Sequence, residues 1–152
     1  MSESVALHRA PNRVAVIRLL QGAQLPTADL TDAHMQNFFY AGSEDAPLGI
    51  VGVEFHGNDA LLRSLVVSPE RRARGLGQRL VEHAEQCARE HGATSMYLLT
   101  TTAERFFLSR GYLAASRESA PLPIRSTPEF SALCPASSAF LSKRLRLEVD
   151  RS

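Results

Sequence analysis

Leu65-Val66-Val67-Ser68-Pro69-Glu70-Arg71-Arg72-Ala73-Arg74-Gly75-Leu76-Gly77-Gln78 is the passage from which the rest of the chain can be read. It opens as a short apolar strand, passes through Pro69 and an arginine-rich turn, and enters a segment of helical spacing: Leu76, Leu80, Val81, Ala84, Cys87 and Ala88. Gly75 and Gly77 leave backbone amides uncovered by side chains, and a helix starting there directs its unpaired N–H groups and positive dipole end outward. That combination is an anion site. Charge-assisted hydrogen bonds contribute about 1.5–3 kcal/mol each, so a few amides together with Arg72 or Arg74 suffice to hold a pyrophosphate. The dipole alone, at about 0.3–1 kcal/mol, does not. Two familiar phosphate loops fail here. A P-loop requires Gly-Lys-Ser/Thr where Gly77-Gln78-Arg79 stand, and the dinucleotide fingerprint requires a third glycine where Leu80 stands. What remains is Arg-x-x-Gly-x-Gly, from Arg72 to Gly77.

Outward from this passage the chain alternates strands and helices. Before it, residues 48–56 alternate Ile50, Val51, Val53 and Phe55 with small or charged residues, Gly57-Asn58-Asp59 makes a turn, and residues 61–68 return as an antiparallel neighbour. Phe38, Phe39 and Tyr40 form a short strand ahead of a turn at 42–47. Residues 12–20, with Val14, Val16 and Ile17, read as a first strand, and Thr27 caps an expected helix over 28–37. After the passage, the helix over 75–91 stops at Gly92. A strand over 95–100 and a short helix over 103–110 follow, and Gly111 closes that helix. Residues 112–117 read as a strand, 120–135 as a long Pro- and Ser-punctuated loop of the kind that usually serves function, and 137–147 as a final strand. A meander followed by β-α-β order predicts a mixed α/β class, one mixed sheet flanked by helices.

The chain has 152 residues, 44% of them hydrophobic, and predicts a single domain over 1–152. Its apolar runs fall far short of the ~20 residues that cross a bilayer, and residues 1–10 lack the basic start and apolar stretch of an export signal, so a soluble cytoplasmic protein is expected. With 17 Lys+Arg against 16 Asp+Glu, no general attraction to nucleic acid or to membranes is implied. Arg71, Arg72, Arg74 and Arg79 cluster locally, but no aromatic residue interleaves with them, and phosphate explains them better than a nucleic-acid strand. Cys87 and Cys134 lack the spacing of a disulfide framework or a zinc site, and His83 with Cys87 offers two ligands only, so no metal is expected.

The Arg72 to Gly77 motif, with the strand end Val66-Val67-Ser68-Pro69 before it and Ala103-Glu104-Arg105-Phe106-Phe107-Leu108-Ser109-Arg110-Gly111-Tyr112 after it, resembles the pyrophosphate loop and fourth-helix segment of the GCN5-related N-acetyltransferase (GNAT) superfamily. The segments 22–30, 61–65, 97–103, 124–130 and 133–137 further resemble that superfamily's arsenic-resistance N-acetyltransferase branch. The resemblance implies a GNAT-like splayed mixed sheet, with acetyl-CoA as cosubstrate between the strands 61–68 and 95–100. It places the pantetheine arm on the backbone of Leu65, Val66 and Val67, and the pyrophosphate on Arg72, Ala73, Arg74, Gly75, Leu76, Gly77 and Gln78. Thr101, Thr102 and Phe106 are placed, more loosely, near the CoA tail. The implied activity is acetylation of a small amine, in this branch an amino acid carrying an arsinate- or phosphinate-type group, in detoxification. Oligomeric state is not readable; the resemblance alone allows a homodimer, since sheet ends often pair in the superfamily.

Two departures stand out. Phe107 occupies the position where many members carry a tyrosine acid, and Leu61 stands where some carry a glutamate base. Glu54, or a water held by it, is then the candidate for taking the ammonium proton, with an exposed strand position as the plainer reading of Glu54. General acid–base help is worth about 10²–10⁴ in rate, whereas holding the reactants together supplies about 7–11 kcal/mol of the barrier, so the departures leave catalysis open. A CoA-binding sensor without chemistry is the alternative. For an anionic substrate, Arg63 is the first candidate: it sits two residues before Leu65, and regular strand alternation turns both to one face. Arg125 and Arg117 are further candidates. Cys134, in the long loop, is a candidate arsenic ligand or proton donor, with a structural cysteine as the plainer reading.

Overall fold

A computed structural model describes residues 5–72, 74–133 and 137–145. Along the chain lie β1 (Leu7–Arg9), α1 (Arg13–Gly22), β2 (Phe38–Gly42), β3 (Pro47–His56), β4 (Asp59–Val67), α2 (Leu76–Glu90), β5 (Ser95–Thr100), α3 (Glu104–Ser109), β6 (Leu113–Ala114), α4 (Leu122–Arg125) and β7 (Ala139–Arg144). The strands form one seven-stranded mixed sheet in the order β1-β2-β3-β4-β5-β7-β6, which is the mixed α/β class expected. No helix among the described residues is long and apolar enough to cross a membrane. By compactness the chain falls into two units, Met1–Val53 with Ser64–Ala84 and Glu54–Arg63 with Glu85–Ser152.

In the first unit, β1, β2 and β3 pair antiparallel, with Phe39 opposite Val51 and Tyr40 opposite Ile50. Phe38 pairs with Gly52, where any Cβ would come within 2.3 Å of the Phe38 ring, so only glycine lets that ring lie across the strand. Residues 12–20 are not a strand. They lie largely in α1, because the Asn12 side chain accepts a hydrogen bond from the Ala15 N–H and caps the helix. Val16 and Leu20, four apart, are fully buried against Leu30, Met35, Phe38, Ile50 and Val66, while Val14 is left 60% exposed. A cap is worth about 1 kcal/mol and a buried aliphatic side chain about 1.5–3 kcal/mol, which outweighs the helix penalty of three β-branched residues.

The helix expected over 28–37 is also replaced. Residues 27–33 form turns, followed by one 3-10 turn at His34–Asn37. Here polar side chains compete for the backbone: His34 Nδ1 accepts from the Thr31 N–H, and Asp32 is drawn to Arg13 at 2.8 Å.

The second unit is built on β5. Its parallel ladder with β4 is confined, among the described residues, to Asp59, Ala60 and Leu61 against Ser95, Met96 and Tyr97, whereas β7 pairs antiparallel with all six β5 residues. Leu61, Ala120, Ile124 and Phe140 form its core, with Tyr97 stacked on Phe140 and Phe130 meeting it edge-on. The expected loop at 120–135 carries structure of its own, α4 and a π-helical turn at Glu129–Leu133. Pro121 stands at the helix start, where a proline's missing N–H costs nothing, and Ile124 is fully buried. The strand expected over 112–117 shrinks to β6, because Tyr112 turns inward and residues 117–119 form a 3-10 turn.

Candidate active site

Two charged regions carry the functional reading, one in each unit. In the first unit, β4 is interrupted at Ser64, whose φ of +63° puts a non-glycine residue in the left-handed region. Leu65, Val66 and Val67 follow, and the Ser68 N–H donates to the Leu48 carbonyl at 2.8 Å, tying the strand end to β3. The chain then makes a 3-10 turn at Pro69–Arg71. Arg72 folds back, its Nε donating to the Val67 carbonyl at 3.0 Å. Gly75 adopts φ +84° with open space around the position a Cβ would take, so glycine is required there by conformation and not by crowding. The 15-residue α2 starts at Leu76.

Leu76 is buried, and with Leu80 it closes to about 3 Å of the Cβ position of Gly49, which seats the helix on β3. The amides of the first α2 turn have no partner within the helix. Arg72, Arg74 and Gln78 are exposed around them, Gln78 donating to Glu82 at 3.2 Å. Ala73 lies outside the described residues. Beside the loop is a cavity of about 370 Å³ whose walls include Ala15, Arg18, Leu19, Pro47, Val66 and Ser68. An N-terminal helix turn with a left-handed glycine and flanking guanidinium groups is equipped to bind a diphosphate.

In the second unit, Glu54 is the centre of a charged group. Arg63 Nη1 donates to Glu54 Oε2 at 2.7 Å, Arg63 Nη2 lies 3.1 Å from Glu129 Oε1, and His56 Nε2 is 3.2 Å from Glu54 Oε1. Arg63 is only 2% exposed. The expectation that Arg63 grips an anionic substrate is therefore corrected: its fork is held by two carboxylates. The alternation used to place it with Leu65 is also interrupted, by left-handed Ser64 between them. Glu54 is half-buried and hydrogen-bonded, so the exposed-position reading does not hold for it.

Among the other expected residues, Thr101 and Thr102 are exposed in the turn after β5, which is fixed by the Ala103 N–H donating to Thr100 Oγ1 at 2.9 Å. Phe106 is half-buried on α3, edge-on to Phe107. Phe107 is buried against Tyr112 and carries no proton donor. Arg125 ends α4 and is exposed, Arg117 donates to the Ser138 carbonyl at 2.8 Å, and Cys134 lies outside the described residues.

His56 and Glu85 were not singled out from the sequence. His56 follows Glu54 by two residues, a spacing that places both on one strand face, and this was the available signal. Glu85 sits four residues after Val81, inside the apolar stripe of α2, where a carboxylate needs partners. It accepts from Tyr112 Oη at 2.9 Å and from Lys143 Nζ at 3.1 Å. Burial first, then the Glu85 charge and hydrogen bond, push the Tyr112 phenol far above its ordinary range.

Comparison with known proteins bears on the family and the fold. An amino-acid acetyltransferase of Ralstonia nicotianae is 39% identical over 57 residues, 38% of this chain and 13% of that protein. A protein of Chlorobaculum tepidum described as an uncharacterized N-acetyltransferase is 34% identical over 92 residues, 60% of this chain and 59% of that one. The aligned parts thus span less than two thirds of either relative. In fold, the N-acetylglutamate synthase of Neisseria gonorrhoeae, solved with coenzyme A and N-acetyl-glutamate, superposes with a TM-score of 0.79 at 22% identity, over 96% of this chain and 36% of that chain. The acetyltransferase (GNAT) domain family matches residues 34–113, more than half of the chain and the stretch that holds β2 to β5 with the glycine loop, and the chain belongs to that family.

Proposed function

We propose that the chain is an acetyl-CoA-dependent N-acetyltransferase acting on the primary amine of a small molecule in the cytoplasm. The observation that carries this is the loop joining β4 to α2. Left-handed Gly75, the free amides of the first helical turn, and exposed Arg72 and Arg74 suit a pyrophosphate, and the open space at the Gly75 Cβ position leaves room for one. In this reading Arg72, Arg74, Gly75, Gly77 and Gln78, with Ala73 and the amide of Leu76, hold the diphosphate. The backbone of Leu65, Val66 and Val67 holds the pantetheine arm. Thr101, Thr102 and Phe106 are assigned to the CoA tail by resemblance.

When bound, acetyl-CoA supplies an activated thioester. The chain's part is to orient it, to offer the N–H of Val66 or Val67 to the developing oxyanion, and to remove a proton from the acceptor ammonium. Glu54 is assigned that proton, directly or through a water, with His56 on the same carboxylate. The neutral amine then forms the C–N bond as the C–S bond breaks, and the thiolate is protonated by solvent. No covalent enzyme intermediate is needed.

The acceptor class favoured is an amino acid, supported by the amino-acid acetyltransferase relative. An arsinate- or phosphinate-bearing amino acid, with a role in detoxification, is the finer form suggested by the sequence resemblance, with Arg125 and Cys134 as its substrate residues. Turnover of acetyl-CoA with a panel of amino acids, polyamines and aminoglycosides tests the reading. Release of free CoA that depends on an amino acid supports it. Tight CoA binding with no amine-dependent release instead identifies a sensor.

A further inference from the structure

The cavity beside the glycine loop has a chemistry of its own. Its volume of about 370 Å³ lies at the lower end of small-molecule pockets. Ala15, Leu19, Pro47 and Val66 give it an apolar body, and Arg18, Asp45, Ser68 and Arg72 give it polar groups. These polar groups are not equivalent. Arg72 has its Nε committed to the Val67 carbonyl. Arg18 is exposed on α1 and, among the described residues, pairs with no carboxylate. Ser68 is only 8% exposed, and its Oγ, with the Glu70 carboxylate nearby, makes no hydrogen bond of good geometry. Its hydroxyl has the Glu70 carboxylate as an acceptor within reach and can also turn to a ligand in the cavity.

We infer that this cavity binds the α-carboxylate end of the acceptor, with Arg18 as its cation and Ser68 as a supporting donor. This rests on the acetyl-transfer reading with an amino-acid acceptor and names the residues that hold that acceptor's α-carboxylate. A guanidinium forks onto two carboxylate oxygens, which a lysine ammonium does not do. Asp45 on the same wall suits a ligand that also carries an ammonium. With Arg63 of the second unit held by Glu54 and Glu129, and Arg72 Nε committed to the Val67 carbonyl, Arg18 is the candidate cation of this cavity.

The test is the ratio of kcat/KM for an α-amino acid to that for its α-carboxamide, measured for glutamate, methionine and a phosphinate-bearing amino acid. Wild-type protein is expected to prefer the acids at least tenfold. Arg18→Ala is expected to remove that preference, and Arg18→Lys, which keeps the charge and loses the fork, to fall between. Because Arg18 is exposed, the variants are expected to fold, and a melting curve checks this. Equal ratios in wild type and Arg18→Ala overturn the assignment while amide turnover leaves acetyl transfer standing. Absence of turnover with every acid and amide overturns both.

Discussion

The glycine loop of the first unit and the Arg63 group of the second are both built around arginine, yet they solve opposite problems. In the loop, Arg72 and Arg74 stand in solvent beside the first turn of α2, where a left-handed glycine leaves backbone amides uncovered and the diphosphate is proposed to sit. In the second unit Arg63 is withdrawn from solvent and answered by Glu54 and Glu129. An exposed guanidinium contributes little to folding and remains available to a ligand, whereas a buried pair is costly to break because its survivors are left charged and desolvated. In the proposed reading the same residue type serves recognition in one place and internal order in the other, and burial separates the two roles.

Arg63→Ala breaks the comparison most severely. Removing one partner from a buried ion pair costs about 3–5 kcal/mol, so for a chain of this size Tm is expected to fall by on the order of 10 °C in a calorimetric scan. A Tm within 2 °C of wild type, a bound that about 0.5 kcal/mol would explain, returns Arg63 to the solvent-facing class. Glu54→Gln sharpens the picture next. The amide keeps an oxygen for Arg63 but takes no proton, so turnover is expected to drop about a hundredfold and the low-pH limb of the rate profile to disappear, with acetyl-CoA affinity unchanged. An unaltered pH profile would leave Glu54 a purely structural partner of Arg63.

Arg72→Ala is the counterpart in the loop, expected to weaken acetyl-CoA about tenfold, since a charge-assisted hydrogen bond is worth about 1.5–3 kcal/mol, while moving Tm of the free protein by no more than a degree or two. The opposite pattern, lost stability with intact affinity, would make its bond to Val67 the point of the residue. The smallest effect is a slope. Tyr112 keeps its proton in the fold well beyond the pH of ~10 at which an unfolded tyrosine releases it. Above that pH the unfolded chain binds fewer protons than the native one, so stability falls as pH rises. Tyr112→Phe should flatten the decline of Tm with pH above ~10 relative to wild type, and a decline of equal steepness would assign the alkaline sensitivity elsewhere.

What was legible in advance follows from the range over which each feature is encoded. The glycine loop, the stripe of α2 and the β3–β4 hairpin are written in neighbouring residues, and periodicity or turn chemistry suffices to read them. The chain over 12–20 misled because its β-branched residues suggest a strand, while Asn12 as a cap and the burial of Val16 and Leu20 outweigh them. Residues 120–135 misled because Pro121 and Ser126 punctuate a loop and also bracket a helical turn. The Arg63 group joins positions 54, 56, 63 and 129, and nothing local at Arg63 distinguishes a core ion pair from a surface charge. The bend at Ser64 was equally unreadable, since serine carries no preference for positive φ.

The central claim is that the amides at the start of α2 hold the diphosphate of acetyl-CoA. It is tested most directly by calorimetric titration of acetyl-CoA into wild-type protein and into Gly77→Asp, with circular dichroism to establish that the variant is folded. A carboxylate at position 77, in the first turn of α2, is expected to repel the diphosphate. Saturable binding to wild type and none to the folded variant is the expected result. Absence of binding to wild type, or equal affinity in the two proteins, would contradict it.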